Sequence, residues 1–238
     1  MAGVEEKAGS GAAGLRFLSL IAALTPLPAH AGAWIAPEGG QEIWTNVVGQ
    51  REGLTFYESS GYYEAPVTES TSAVFAPWYE NSYSSAEPWR AEALVGAKHV
   101  VHRSEGGTVV ALQGSAFWTS APEGDCGEGG AEVRPLAGRG FGQTGFVNVE
   151  AATRALDGGC ESQRLDITVG YRPGENWLAM GQMFADVPLE GEGAIRAQLT
   201  LVYFRPSGRG IQIGLRARVD GGGEEAALVI GLWGRPGD

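Results

Sequence analysis

Long apolar runs are missing from this chain. No segment approaches the ~20 consecutive apolar residues that a membrane-spanning helix requires. The most apolar stretch, residues 15–27, is interrupted by Arg16 and Pro26. If the chain enters a membrane it must therefore form a closed barrel, the only other structure that satisfies the backbone in lipid.

Basic residues are scarce as well, and the formal net charge is -11. This balance argues against nucleic acid as a partner, because its binding needs a basic patch. The sequence has no nucleophile elbow, phosphate-binding loop or metal-ligand cluster, so we expect no enzyme activity, cofactor or metal. The best catalytic candidates are His99 and His102 with Ser115 or Ser104, and interfacial polar residues are the favoured interpretation of these histidines.

The N-terminus has the features of a secretory signal. Lys7 and Arg16 supply positive charge, residues 15–27 an apolar stretch, and Ala29-His30-Ala31 a cleavage motif. We therefore predict a signal peptide over residues 1–31 and one mature domain over residues 32–238.

Apolar and polar residues alternate one for one along the second half of the chain, most clearly in residues 165–171, 195–201 and 211–219. Successive side chains of a strand point to opposite faces, so each run has one apolar and one polar face. Arginines within the polar face are costly in a soluble core but ordinary in the lumen of a membrane barrel. We predict an all-β fold, an antiparallel up-and-down transmembrane β-barrel of about 12 strands, near residues 41–50, 54–64, 71–82, 89–102, 107–119, 131–142, 145–155, 162–172, 176–186, 194–204, 210–219 and 225–233.

The connections follow the asymmetry of outer-membrane barrels. With both termini in the periplasm, the periplasmic turns are short, whereas most outer links, such as 80–88, 120–130 and 187–193, are longer and acidic. Cys126 and Cys160 fall in outer links one hairpin apart, and an oxidising envelope favours a disulfide between them over free thiols.

Taking the apolar face as lipid-facing directs Ala197, Leu199 and Leu201 outward and Arg196, Gln198 and Thr200 inward. The same assignment places a set of charged residues in the lumen: Arg90, Glu92, Lys98, Glu150, Arg154, Arg164, Asp166, Arg196, Arg216 and Arg218. Four of these arginines lie on strands eight, ten and eleven, which predicts a positive wall and a weak preference for anions. The alternative is a structural ion-pair network that plugs the narrow lumen.

Tryptophans lie close to the predicted strand ends, as in the aromatic girdles of membrane proteins: Trp44, Trp78, Trp89, Trp118, Trp177 and Trp233. Trp233 also stands where the closing aromatic residue of a barrel is expected, although a further five residues follow it.

Part of the sequence resembles a known family. Gly32-Ala33-Trp34, Gly39-Gly40-Gln41 and the segment from Tyr63 to Thr71 resemble the phenol-degradation-pathway putative transporters among the proteobacterial outer-membrane barrels. In the last segment Glu-Ala-Pro replaces the family's Glu-Tyr-Gly, and beyond residue 80 only the general pattern is similar. The resemblance implies passive uptake of small molecules.

We therefore expect a bacterial outer-membrane barrel, in contact with membrane lipid, that passes small solutes through a narrow charged lumen. Two alternatives stay open: a non-conducting barrel with a structural or surface-binding role, and a soluble secreted β-barrel that binds a ligand.

The first prediction follows from signal, strand length and turn asymmetry together. The mature protein should fractionate with the outer membrane, require detergent for extraction and migrate differently on gels before and after heating. Recovery as a soluble periplasmic protein would contradict the membrane assignment.

Overall fold

Twelve antiparallel strands form a closed barrel in the part of the chain that the computed structural model describes, residues 32–82, 89–120, 126–142, 144–188 and 193–235. The predicted signal segment lies outside these residues. No helix among them is long and apolar enough to cross a membrane. The strands are β1 (Gln41–Arg51), β2 (Leu54–Thr68), β3 (Thr71–Ser82), β4 (Trp89–Arg103), β5 (Thr108–Thr119), β6 (Gly129–Phe141), β7 (Gly145–Leu156), β8 (Cys160–Gly174), β9 (Trp177–Pro188), β10 (Ala194–Phe204), β11 (Gly210–Arg218) and β12 (Glu225–Gly234).

Each strand pairs with its neighbours in sequence, and β1 pairs with β12 to close the wall. The closing register runs from Glu42 opposite Gly234 to Arg51 opposite Glu225. The sequence therefore predicted the fold class and each strand to within a few residues. We call the end where β1 begins and β12 finishes the terminal end, and the opposite end the loop end. Much of the predicted outer links 80–88, 120–130 and 187–193 lies outside the described residues.

The two faces of the wall differ as the alternation predicted. In β10, Leu199 is 70% exposed on the outer face, whereas Gln198 and Thr200 are buried on the inner face. The outer face of the neighbouring strands is equally apolar: Ile211, Ile213, Leu215, Leu228, Ile230 and Leu232. A belt of this kind around a closed barrel is what a hydrocarbon environment requires.

Four of the tryptophans lie on the outer face near the two ends of the barrel. Trp44 and Trp177 are at the terminal end, and Trp89 and Trp118 are at the loop end. The girdle prediction is wrong for the other two. Trp233 is buried inside, where its Nε1 donates to Gln212 Oε1 at 2.7 Å, and Trp78 is a partly buried inward residue whose ring faces the Arg90 guanidinium.

The interior is not the uniformly polar face expected from the sequence. Most of its charged side chains lie in the loop-end half, beside apolar clusters that contain Phe56 and Phe117. The terminal-end half contains the Lys98–Glu64 ion pair and two larger apolar clusters: Phe146, Leu178, Met180, Val202 and Trp233 in one, and Val100, Val109, Ala111 and Leu136 in the other. A small barrel has little room inside, so side chains pack there as in a core.

The second prediction tests the outer face. Leu199→Arg places a charge at mid-height on the apolar belt and should lower the stability of the lipid-embedded barrel by about 2–4 kcal/mol. The matched control, Gln50→Arg, lies on the same face close to the loop end and should cost only about 0–1 kcal/mol. Urea unfolding in lipid vesicles measures both, and equal costs would show that the belt does not face hydrocarbon.

Candidate functional site: the barrel interior

The loop-end half of the interior is an ion-pair network that crosses the closing seam of the barrel. Arg216 binds Glu58 with two guanidinium nitrogens, at 3.1 and 2.8 Å, and donates from Nε to Glu225. Glu225 also accepts from Arg51, whose other nitrogens bind Glu80 at 3.1 Å. Strands β1, β2, β3, β11 and β12 are thus tied together through their inward side chains.

A second group of ion pairs lines the opposite side of the lumen, on β4, β6, β7 and β8. Arg134 contacts three carboxylates, those of Glu132 at 2.9 Å, Glu150 at 2.8 Å and Asp166 at 3.5 Å. Arg154 joins Glu132 to Glu92. Since the arginines are shared between carboxylates, the group behaves as one network rather than as separate pairs.

The predicted positive wall does not exist. Each of its four arginines has a carboxylate beside it: Arg164 has Asp166, Arg196 has Asp186 and Glu225, Arg216 has Glu58 and Glu225, and Arg218 has Asp220. The prediction failed because it considered the arginines without the carboxylates beside them. Glu58, Asp186 and Glu225 come from other strands, and Asp166 and Asp220 lie two residues from their arginines in sequence. The basis for anion preference therefore disappears.

The structure places the predicted lumen residues Arg90, Glu92, Lys98, Glu150, Arg154, Arg164, Asp166, Arg196 and Arg216 inside, and Arg218 at the loop-end rim. Sequence reasoning missed several partners that complete the network: Arg51, Glu58, Glu64, Glu80, Glu132, Arg134, Asp186 and Glu225. Strict alternation along β1, β2, β3, β6, β9 and β12 is the signal that identifies them as inward-facing. That these residues form a solute path stays a prediction.

The described chain begins inside the barrel. Residues 32–36, which we call the plug segment, enter the lumen at the terminal end, where Gly32, Ala33, Ile35 and Ala36 are buried. The segment belongs to no strand and makes hydrogen bonds to inward side chains instead. Ala33 N donates to Asn148 Oδ1 at 3.0 Å, and Ala36 N donates to Glu64 Oε1 at 3.0 Å.

Lys98 holds the plug segment most directly. Its ammonium, with a fully buried side chain, donates to Gly32 O at 2.8 Å, Trp34 O at 2.6 Å and Glu64 Oε2 at 2.8 Å. These contacts use the three donors that a lysine has. Glu64 also accepts from the Tyr62 and Ser72 hydroxyls, each at 2.7 Å. The pair is therefore saturated, as a buried ion pair must be to persist.

The indole of Trp34 fills the terminal-end half of the lumen. It packs against both apolar clusters and meets the Phe146 ring edge-on, with the ring centroids 6.1 Å apart. Gly138 makes room for it on β6, because a Cβ there would overlap the indole. Trp34 and the side chains around it therefore occupy the lumen at this end of the barrel.

The loop end carries two further links. Cys126 and Cys160 form the predicted disulfide, with Cα atoms 5.8 Å apart, and it joins the start of β8 to the link before β6. On the other side Asp220 accepts from Arg218 Nε at 2.6 Å and from the backbone N–H of Ile195 and Gly222. These donors stabilise the carboxylate and hold the pKa of Asp220 below its usual value.

The imagined serine–histidine pair is not assembled. His99 lies on the outer face, where Nδ1 is 2.8 Å from the Thr71 hydroxyl. Ser115 lies on the inner face and accepts from Gln113, while the Ser104 hydroxyl accepts from the backbone N–H of Thr108. The wall of the barrel separates Ser115 from His99.

The third prediction concerns the network. Arg216 is 8% exposed, and Arg216→Met leaves Glu58 and Glu225 each with one partner fewer, which should lower the free energy of unfolding by about 3–5 kcal/mol. Arg90 is 43% exposed, and its partner Glu80 keeps Arg51, so Arg90→Met should cost only about 0–1 kcal/mol. Urea unfolding followed by tryptophan fluorescence compares them, and similar costs would mean that the network contributes little.

No family model and no curated protein matches this chain. Solved structures do match its fold. An outer membrane channel from Pseudomonas putida F1 superposes with a TM-score of 0.61 at 9% identity, covering 84% of this chain and 97% of the channel. A NanC porin gives 0.61 at 12% identity, covering 79% and 98%, and a KdgM porin gives 0.58 at 6%, covering 80% and 97%. At these identities the likeness is one of fold, that of bacterial outer-membrane porins and channels.

Proposed function

We propose that this chain is an outer-membrane barrel through which small solutes pass, and that the plug segment closes it in the conformation described here. Solute passage then requires the plug segment to leave the lumen toward the terminal end, which in this orientation faces the periplasm.

The outer surface supports the membrane location. Leu199, Ile213 and Leu215 are 70%, 56% and 67% exposed near mid-height of their strands, an arrangement that would be unfavourable in water. Aromatic side chains at both ends of the belt match the two interfaces of a bilayer. A soluble ligand-binding barrel would instead keep its apolar face inside.

The observation that carries the proposal is that the closing element is separate from the wall. All the strand pairings of the closed sheet are complete without residues 32–36, since β1 begins only at Gln41. Their backbone is held by Lys98, Asn148 and Glu64 rather than by a neighbouring strand. The segment can therefore move without breaking the barrel.

The lining of the lumen suggests which solutes fit. Charged groups are concentrated towards the loop end and the larger apolar clusters towards the terminal end, where the Lys98–Glu64 pair also lies. A lining of both kinds suits small molecules with a charged and an apolar part. The finer likeness to phenol-degradation-pathway transporters, noted from Gly32-Ala33-Trp34 and from the segment around Glu64, agrees with this class. A KdgM porin has been solved in complex with oligogalacturonate, which indicates that related folds also take charged solutes.

The non-conducting alternative has one observation in its favour. The interior charges are paired with one another and the apolar side chains form packed clusters, as in a barrel that only needs to be stable. Conductance of single channels distinguishes the two functions.

The fourth prediction uses Trp34→Ala in planar bilayers. The wild-type mature protein should show rare openings, whereas Trp34→Ala should be open most of the time, because the ring that fills the terminal-end half is gone. Trp177→Ala, which removes the same ring from the outer face, should behave like the wild type.

A second variant tests whether release of the plug segment, rather than the loss of one aromatic ring, opens the channel. Lys98→Met combined with Glu64→Gln removes the donors that hold Gly32 and Trp34 while leaving no unpaired charge, and it should also raise the open fraction. If all of these proteins migrate as folded barrels and none conducts, solute passage is wrong and the structural role is favoured.

A further inference from the structure

Gly32 lies buried within the lumen, in contact with residues of β4 and β7. The Ala29-His30-Ala31 motif stands directly before this residue, so the bond that precedes Gly32 is the predicted cleavage site. We propose that the chain is cut between Ala31 and Gly32, and that the barrel binds the new α-ammonium of Gly32 through Asn148 and Glu150. The inference concerns the processed N-terminus and holds whether or not solutes pass.

Asn148 positions the end of the chain beside Glu150. Its Oδ1 accepts from Ala33 N at 3.0 Å, and its Nδ2 donates to Glu150 Oε1 at 2.8 Å. The side chain thus bridges the plug segment and the carboxylate. Gly32 packs against the same amide, which therefore links this residue to the Glu150 carboxylate.

The charges in this part of the lumen leave room for one more cation. Glu150 lies directly opposite Asp166 in the pairing of β7 with β8, and two carboxylates in such positions repel each other. The Arg134 guanidinium contacts both of these carboxylates and also that of Glu132. In the group as a whole the carboxylates of Glu92, Glu132, Glu150 and Asp166 outnumber the guanidinium groups of Arg134, Arg154 and Arg164. An α-ammonium beside Glu150 removes this imbalance.

The identity of residue 32 fits the same site. Its φ of +105° belongs to a region that side chains rarely adopt, and a Cβ would overlap the Asn148 amide. Glycine thus satisfies both the backbone conformation and the close approach to Asn148, while its carbonyl accepts from Lys98.

The chemistry of processing is a hydrolysis. An envelope peptidase adds one water molecule across the Ala31–Gly32 peptide bond, which leaves a carboxylate on Ala31 and an amine on Gly32. The amine takes up a proton at neutral pH, because the ordinary pKa of an α-amino group is about 8. The positive charge that Glu150 binds is therefore created by the cut itself.

Primary amines make the test simple. The sequence has two lysines, Lys7 and Lys98, and a cut after Ala31 removes the first. The mature protein then has two primary amines, the Gly32 α-amine and Lys98 Nζ, both inside the barrel. Mature protein purified from outer membranes should begin at Gly32 by mass spectrometry. It should resist acylation by a water-soluble amine reagent when folded and accept two acyl groups after unfolding.

Two variants assign the site. Glu150→Gln should raise the acylation rate of the folded protein's α-amine by about tenfold or more, because the segment loses its ion partner. The matched control Glu92→Gln removes a carboxylate from the same network, yet Arg154 keeps Glu132, and the rate should not change. Two alanines inserted before Gly32 should also expose the α-amine. Because this insertion changes no lumen residue, it provides the test if the Glu150→Gln protein does not assemble.

Several results would overturn the proposal. An N-terminus at another residue would contradict cleavage between Ala31 and Gly32. Rapid acylation of the α-amine in the folded wild type would contradict its binding inside the barrel. Equal rates for Glu150→Gln and Glu92→Gln would remove Glu150 from the site. Acylation is measured without any conductance, so failure here is distinguishable from failure of the transport proposal.

Discussion

Closure of the sheet is the constraint on which the rest of this structure depends. Once β1 pairs with β12, every second side chain points into a space of fixed size, and nothing placed there can reach bulk solvent except at the ends. Charged residues in that space must find partners within it, which explains why Arg216, Arg134 and Lys98 each contact more than one acceptor. The same closure leaves the outer face free to be uniformly apolar.

The sequence predicted the wall well because period-two alternation is a local property. Strand positions and the outward direction of Leu199 follow from neighbouring residues alone. The disulfide could be predicted because successive links alternate between the two ends of the barrel. The interior was predicted less completely. Pairing of Arg216 with Glu58 joins residues far apart in sequence, and it depends on β1, β2, β11 and β12 being adjacent. Trp233 looked like a girdle residue because the position of an aromatic near a strand end does not by itself say which face it occupies.

The plug segment was the feature least accessible to sequence reasoning. Residues 32–36 have no strand period, and their contacts with Lys98, Glu64 and Asn148 are visible only when the barrel is assembled around them. The stretches that resemble an outer-membrane family contain Gly32, Trp34 and Glu64, which the structure brings together inside one lumen. Their juxtaposition connects an N-terminal motif to a strand–turn–strand motif that seemed independent.

The seam between β1 and β12 joins the two strands of the sheet that are farthest apart in sequence. The residues that close it, such as Arg51 and Glu225, are 174 positions apart in sequence, so this contact carries the largest loop-closure entropy in the sheet. Until the last strand arrives, β1 presents an open edge that could pair with another chain. The final strand therefore completes the sheet on both of its sides: a chain that lacked it would keep unpaired edges on β1 and β11.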